Sequence, residues 1–186
     1  MPVTRLVLLA FGVSLLFHTP AGDDGPTRRL NDFGEWERHA GEWKLDDDKR
    51  IAGAGDSVLV SKVPLPADGD YSFTMTVLSG MRPRVTFDGT DLMVGNEGFS
   101  RVIEAYGGAG TRGVKFAYDY DQPMRITVKF RGRNFELWID NELMSRGKRK
   151  RVPETVVLRL SAGDGWSKGS AAFSDFEFTP VAKEQP

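Results

Sequence analysis

Two tryptophans and four charged residues stand where their types and spacing could do chemistry. Trp138 belongs to Phe135-Glu136-Leu137-Trp138-Ile139, which follows Met124-Arg125-Ile126-Thr127-Val128-Lys129-Phe130 after four residues, Arg131-Gly132-Arg133-Asn134. If Ile126, Val128, Phe130, Phe135, Leu137 and Ile139 turn toward a core, period-two alternation puts Arg125, Thr127, Lys129, Glu136 and Trp138 together on the opposite face. A sugar-binding surface needs that combination. A flat ring covers the C–H face of a pyranose, while carboxylate, ammonium and guanidinium groups hydrogen-bond its hydroxyls. Trp166 offers a second platform in the segment 161–170, which is too polar and glycine-rich to hide an indole easily. With Arg84 and Glu104 from two further short alternating segments, the expected ligand-binding set is Trp138, Trp166, Arg84, Glu104, Glu136 and Lys129.

Hydrolysis is the competing chemistry. Cleaving an ordinary glycoside takes two carboxylates about 5 to 9.5 Å apart, and the sequence has no Glu-x-Asp-x-x-Glu strand that would present them. A substrate that itself acidifies the C–H beside the scissile bond asks for less, since one base with one oxyanion stabiliser then suffices. Glu104 or Glu136 as base, with Arg84 or Lys129 as stabiliser, is that catalytic alternative. The plainer alternatives are that strand carboxylates beside arginines form surface ion pairs and that Trp138 and Trp166 are covered or plug an end of the fold. Trp36 and Trp43 are assigned to packing.

Other chemistries are narrowed by composition. The 186 residues contain no cysteine, which excludes thiol catalysis, disulfides and cysteine metal cages. Only His18 and His39 could supply an imidazole. Arg146-Gly147-Lys148-Arg149-Lys150-Arg151 carries five positive charges in six residues, read here as a solvated loop that could meet an acidic partner through Lys148, Arg149, Lys150 and Arg151. No nucleic-acid partner is expected. Asp46-Asp47-Asp48 and the pair Asp88 and Asp91 could supply oxygen ligands to a structural calcium, but neither matches a twelve-residue calcium loop, and the expectation is no cofactor and no metal. Gly107-Gly108-Ala109-Gly110 lacks the lysine and following helix of a phosphate cradle and reads as a flexible loop.

The elements that must position these residues are strands. Tyr71-Ser72-Phe73-Thr74-Met75-Thr76-Val77 alternates large apolar with small hydroxyl side chains, the pattern of a strand packed on one face and wetted on the other. Shorter candidates lie at 42–45, 50–52, 57–61, 84–87, 92–94, 101–105, 115–118, 142–144, 156–160 and 171–178. Asp68-Gly69, Asp88-Gly89, Asp140-Asn141 and Asp164-Gly165 supply turn chemistry between them, and Gly132 supplies the positive φ for the 131–134 hairpin. No segment makes a convincing three-turn amphipathic helix. Many short alternating strands predict an antiparallel sandwich, since each half-polar sheet must bury its apolar face against another.

The order of these features resembles a known group. Gly41-Glu42-Trp43-Lys44-Leu45-Asp46, Arg50-Ile51-Ala52-Gly53 and Val58-Leu59-Val60-Ser61 resemble the opening strands of concanavalin-like jelly rolls. The 126–141 hairpin with Asp140-Asn141, and Ala171-Ala172-Phe173-Ser174-Asp175-Phe176-Glu177-Phe178, resemble their later hairpin and closing strand. Within that group the chain is most similar to laminin-G-like sandwiches and to the 3-keto-disaccharide hydrolase domain family, over roughly residues 32–179. The resemblance implies an all-β, antiparallel two-sheet jelly-roll sandwich. It also implies a 3-keto sugar as substrate, whose ketone acidifies the neighbouring C–H, and Glu104, in Val102-Ile103-Glu104-Ala105-Tyr106, as the counterpart of that family's glutamate.

The first residues point to export. Arg5 precedes an apolar run over 6–17, and His18-Thr19-Pro20-Ala21 ends in small residues, the layout of a secretory signal peptide cleaved after Ala21. That run is short of the ~20 residues a membrane-spanning helix requires. Removing residues 1–21 takes away one base and no acid, leaving a formal charge of −2, so global charge steers nothing. The expected organisation is a signal peptide at 1–21, a polar linker at 22–30, one β-sandwich domain at 31–180 and a tail at 181–186. The expected role is an exported, non-catalytic carbohydrate-binding module. A 3-keto-glycoside hydrolase and a protein–protein adhesion module are the alternatives.

Overall fold

A computed structural model describes residues 26–164, 166 and 168–181. The expected signal peptide lies outside the described residues. In chain order the first strands are β1 (Arg28–Arg29), β2 (Trp36–Ala40), β3 (Trp43–Leu45), β4 (Ile51–Ala54), β5 (Val58–Ser61) and β6 (Leu65–Pro66). There follow β7 (Gly69–Ser79), β8 (Arg84–Asp88), β9 (Leu92–Gly95), β10 (Val102–Tyr106), β11 (Ala109–Gly113) and β12 (Phe116–Ala117). The last are β13 (Pro123–Arg131), β14 (Asn134–Ile139), β15 (Glu142–Lys148), β16 (Thr155–Ser161) and β17 (Ser170–Pro180).

They form two sheets, antiparallel throughout. The larger runs β11-β15-β14-β13-β7-β17-β4-β3, with β1 also on β17; the smaller runs β12-β10-β9-β8-β16-β5-β2, with β6 also on β16. Alternation decides which side of each sheet is dry. In β13 Met124, Ile126, Val128 and Phe130 are buried while Arg125, Thr127 and Lys129 are half-exposed, and β14 repeats this with Phe135, Leu137 and Ile139 inward. Between the sheets, aromatic rings cross the gap. Tyr71 and Phe130 of the larger sheet meet Phe87 of the smaller edge-on, at centroid separations of 5.3 and 5.2 Å, and Trp36 of β2 lies 4.9 Å from Phe176 of β17. Trp36 and Trp43 are both buried, as their sequence context predicts.

Turn residues behave as their types require. Arg131 pairs with Asn134 across the hairpin, and Gly132 takes φ +54°. Asp140 and Asn141 both adopt left-handed backbone at φ +49° and +67°, a conformation these short polar residues tolerate.

Three expectations need correction. The stretch 22–30 is not a free linker at its described end, because Arg28 and Arg29 pair with Phe178 and Glu177, and Leu30 is buried while its carbonyl accepts from the Trp36 indole at 3.1 Å. The glycine-rich 107–110 is not a loose loop, because Ala109 begins β11 on the edge of the larger sheet. Glycine serves contact there: a Cβ on Gly113 would sit 2.1 Å from the Met144 carbonyl oxygen. The basic run 146–151 is not a solvated loop either. Arg146 to Lys148 close β15, and Arg149 is completely buried, donating to the carbonyls of Ala67 (2.8 Å) and Gly132 (2.9 Å) and pairing with Asp68. A guanidinium with several donors can satisfy buried carbonyls that no other side chain would reach together.

Candidate functional site

Three loops meet at one end of the sandwich and enclose a cleft of about 340 Å3 lined by Met81, Arg82, Phe99, Asp164 and Trp166. Arg82 comes from the β7–β8 connection, Phe99 from β9–β10, and Asp164 and Trp166 from β16–β17. Phe99 is 84% exposed and Trp166 95%, the highest values among the large apolar side chains described. Two rings so exposed beside one cleft offer flat apolar surface to a ligand. Between them, Arg82 Nη1 binds Asp164 Oδ2 at 2.6 Å, and the Arg82 guanidinium lies 5.7 Å from the Phe99 ring centroid.

Local chemistry fixes these loops. Asn96, wholly buried, donates from its side-chain nitrogen to the carbonyls of Ser100 and Val102 (3.1 Å to the latter), and its backbone N–H reaches the Pro83 carbonyl at 3.0 Å. One residue thereby ties the turn carrying Phe99 to itself and to the loop carrying Arg82. Gly95 beside it has no room for a side chain, since a Cβ would stand 2.3 Å from the Pro83 oxygen. Arg82 itself holds left-handed backbone at φ +69°, uncommon for a long side chain and frequent where position matters.

A polar chain continues from the cleft onto the outer face of the smaller sheet. Arg84, Gly95 and Glu104 are register partners on β8, β9 and β10, so Arg84 and Glu104 flank a position with no side chain. Arg84 pairs with Glu97, whose backbone N–H donates to the Tyr106 hydroxyl at 3.0 Å. Tyr106 donates to Glu104 Oε1 at 2.6 Å, and Lys115 Nζ binds the same oxygen at 3.1 Å. Burial first, and then the neighbouring Glu104 carboxylate, push the Tyr106 hydroxyl well above the ordinary tyrosine range. It remains a donor at any physiological pH.

The six residues expected from sequence fall into three places. Trp166 lines the cleft. Arg84 and Glu104 stand next to it on the smaller sheet. Trp138, Glu136 and Lys129 lie on the outer face of the larger sheet, on the other side of the sandwich. There Glu136 accepts from the Trp138 indole at 3.0 Å and from Arg146 at 3.0 Å, and Lys129 Nζ sits 5.1 Å from the Trp138 ring centroid. The two expected base–cation combinations thus lie on opposite faces and neither is an ion pair: Arg84 and Glu104 flank Gly95 but pair with Glu97 and Lys115, and Lys129 stands opposite Glu136 but they pair with Asp70 and Arg146. Sequence reasoning missed Phe99, Arg82, Asp164, Glu97 and Tyr106. Phe99 was findable: Gly95-Asn96-Glu97-Gly98-Phe99-Ser100 has the polar, glycine-bearing context that singled out Trp166. Asp46, Asp88 and Asp91, considered for calcium, are engaged by Arg50, Arg159 and Arg151.

No family model matches the chain, and no curated protein matches it in sequence. Solved structures do share its fold. The carbohydrate binding module CBM66 from Bacillus subtilis superposes with a TM-score of 0.58 at 14% identity, covering 76% of this chain and 93% of that one. The apo Crh5 transglycosylase gives 0.65 at 11% identity, covering 84% of each chain. The Bacillus licheniformis beta-glucanase gives 0.59 at 12% identity, covering 83% of this chain and 97% of that one. The class is thus defined: this is a two-sheet antiparallel jelly-roll sandwich, as the sequence predicted.

Proposed function

We propose that this chain is a non-catalytic carbohydrate-binding module whose ligand enters the cleft between Phe99 and Trp166. One observation carries the reading: the two most exposed large rings described converge, from loops far apart in sequence, on one cleft that holds an Arg82–Asp164 pair. Such rings cover pyranose C–H faces, and the ion pair offers donors and acceptors to hydroxyls at fixed positions. Jelly rolls of this fold include a carbohydrate-binding module and a glucanase, which supports the ligand class. Function lives in the site and not in the fold, so the cleft has to be tested directly. A panel of neutral oligosaccharides titrated into the protein by proton NMR should broaden sugar signals without producing new anomeric ones. Absence of any broadening across the panel would defeat the reading.

A second reading, hydrolysis of 3-keto-glycosides, is supported by Glu104 and Arg84 flanking the open position at Gly95. Protein-dependent new sugar signals from a 3-keto-disaccharide, lost in Glu104→Gln, would establish it. Export through a signal peptide over 1–21 belongs to the same proposal; an N-terminus at Gly22 on protein recovered outside the cytoplasm is the outcome expected. Among the described residues no helix is long and apolar enough to cross a membrane.

A further inference from the structure

A row of charges runs across the outer face of the larger sheet, and its end breaks the pattern. Asp70, Lys129, Glu136, Arg146 and Arg112 are successive register partners on β7, β13, β14, β15 and β11. Signs alternate from Asp70 to Arg146, with Lys129 3.9 Å from Asp70 and Arg146 3.0 Å from Glu136. Then Arg112 stands directly opposite Arg146, like against like. Cross-strand neighbours of equal sign destabilise a sheet. Arg112 makes no ion pair with any described residue, and its strand is exposed along its whole length. Lys148 adds a further cation beside the row, roughly 7 Å from Arg146 along β15. These three cations line a groove of about 760 Å3, together with apolar surface from Val114, Leu143 and Met144.

We propose that this groove binds an anionic glycan, one bearing carboxylate or sulfate groups, with Arg112 and Arg146 clasping one anion and Lys148 meeting the next. Arg146 is held by Glu136, but Arg112 beside it has no carboxylate among the described residues, a cost that a bound anion removes, and the apolar patch accommodates sugar C–H faces beside it. That the occupant is a glycan rests on the carbohydrate-binding reading above; that it is anionic rests on the charge row alone. Arg149, expected from sequence to serve an acidic partner, is buried and takes no part.

The test uses the whole protein, with an oligogalacturonate hexamer and a heparin-derived hexasaccharide as probes, a neutral hexasaccharide and a polyglutamate peptide as controls, and calorimetry at low and high salt. At least one anionic glycan should bind, more weakly as salt rises. Arg112→Glu should weaken it at least about tenfold while leaving the melting temperature equal or higher, because it completes the alternation. A merely structural arginine would give the reverse. Trp166→Ala should leave this binding intact, so failure of the cleft and failure of the groove remain separate results. Binding by neither anionic glycan, unchanged binding in Arg112→Glu, or equal binding of the peptide would each overturn the proposal.

Discussion

The guanidinium of Arg149 stands over the ring of Phe130, 4.4 Å from carbon to centroid, and is completely shielded from solvent. It is a strut joining three segments distant in sequence: the 67–68 turn, the 132–133 hairpin tip and the end of β15. Arg149→Ala leaves the Ala67 and Gly132 carbonyls without partners and should cost about 2 to 4 kcal/mol, read by urea denaturation. Arg149→Lys should recover little, because a single ammonium cannot reproduce the fork. A loss below about 1 kcal/mol in the alanine variant would show that water replaces it.

Exposure makes the cleft aromatics separable from the fold. Phe99→Ala and Trp166→Ala should each lower affinity for a neutral oligosaccharide by about tenfold with no change in melting temperature. Trp138→Ala, altering the opposite face, should leave that affinity unchanged. Equal loss in all three variants would place the ligand elsewhere.

Gly95 supports the cleft from beneath. Gly95→Ala drives a Cβ into the Pro83 carbonyl, the group that accepts from Asn96, and should destabilise by about 1 to 3 kcal/mol. Because Asn96 anchors the Phe99 turn, sugar binding should fall as well, even at temperatures where the variant is fully folded. Unchanged affinity and stability would mean that the β7–β8 loop yields freely.

Tyrosine ionisation sets an alkaline limit. Burial, with Tyr120 adding to it and Arg101 opposing, pushes the Tyr118 hydroxyl up to about 12, and burial raises Tyr71 and Tyr106 further. Below the unfolded value near 10 both states keep these protons, and their contribution to stability is fully present. As pH rises beyond it the unfolded chain releases protons the folded chain retains, so stability falls between about pH 10 and 12. Denaturant midpoints measured from pH 8 to 12 should be level up to about 10 and then drop. Tyr118→Phe should shallow the drop; a decline beginning well below pH 9 would contradict it.

Much of the fold was legible because period-two alternation is a local property. β7, β13, β14 and β17 announce themselves in the residues that form them, as do the Gly132 and Asp140-Asn141 turns. β11 was hidden: Ala109-Gly110-Thr111-Arg112-Gly113 carries no alternation, and it is a strand only because β15 supplies a ladder and tolerates backbone contact at Gly113. Arg149 looked like one more surface cation until folding brought Asp68, Ala67 and Gly132 around it. The site divides in the same way. Sequence alone offered Trp166 as an exposed platform, with a plug as the alternative, and placed Lys129, Glu136 and Trp138 on one face, since both follow from local composition and register. Only the tertiary structure joined Trp166 to Phe99 and Arg82 and set Glu104 and Glu136 on opposite sides of the molecule. Strand order in a sandwich is fixed by pairing between distant segments, and no local pattern encodes which strands become neighbours.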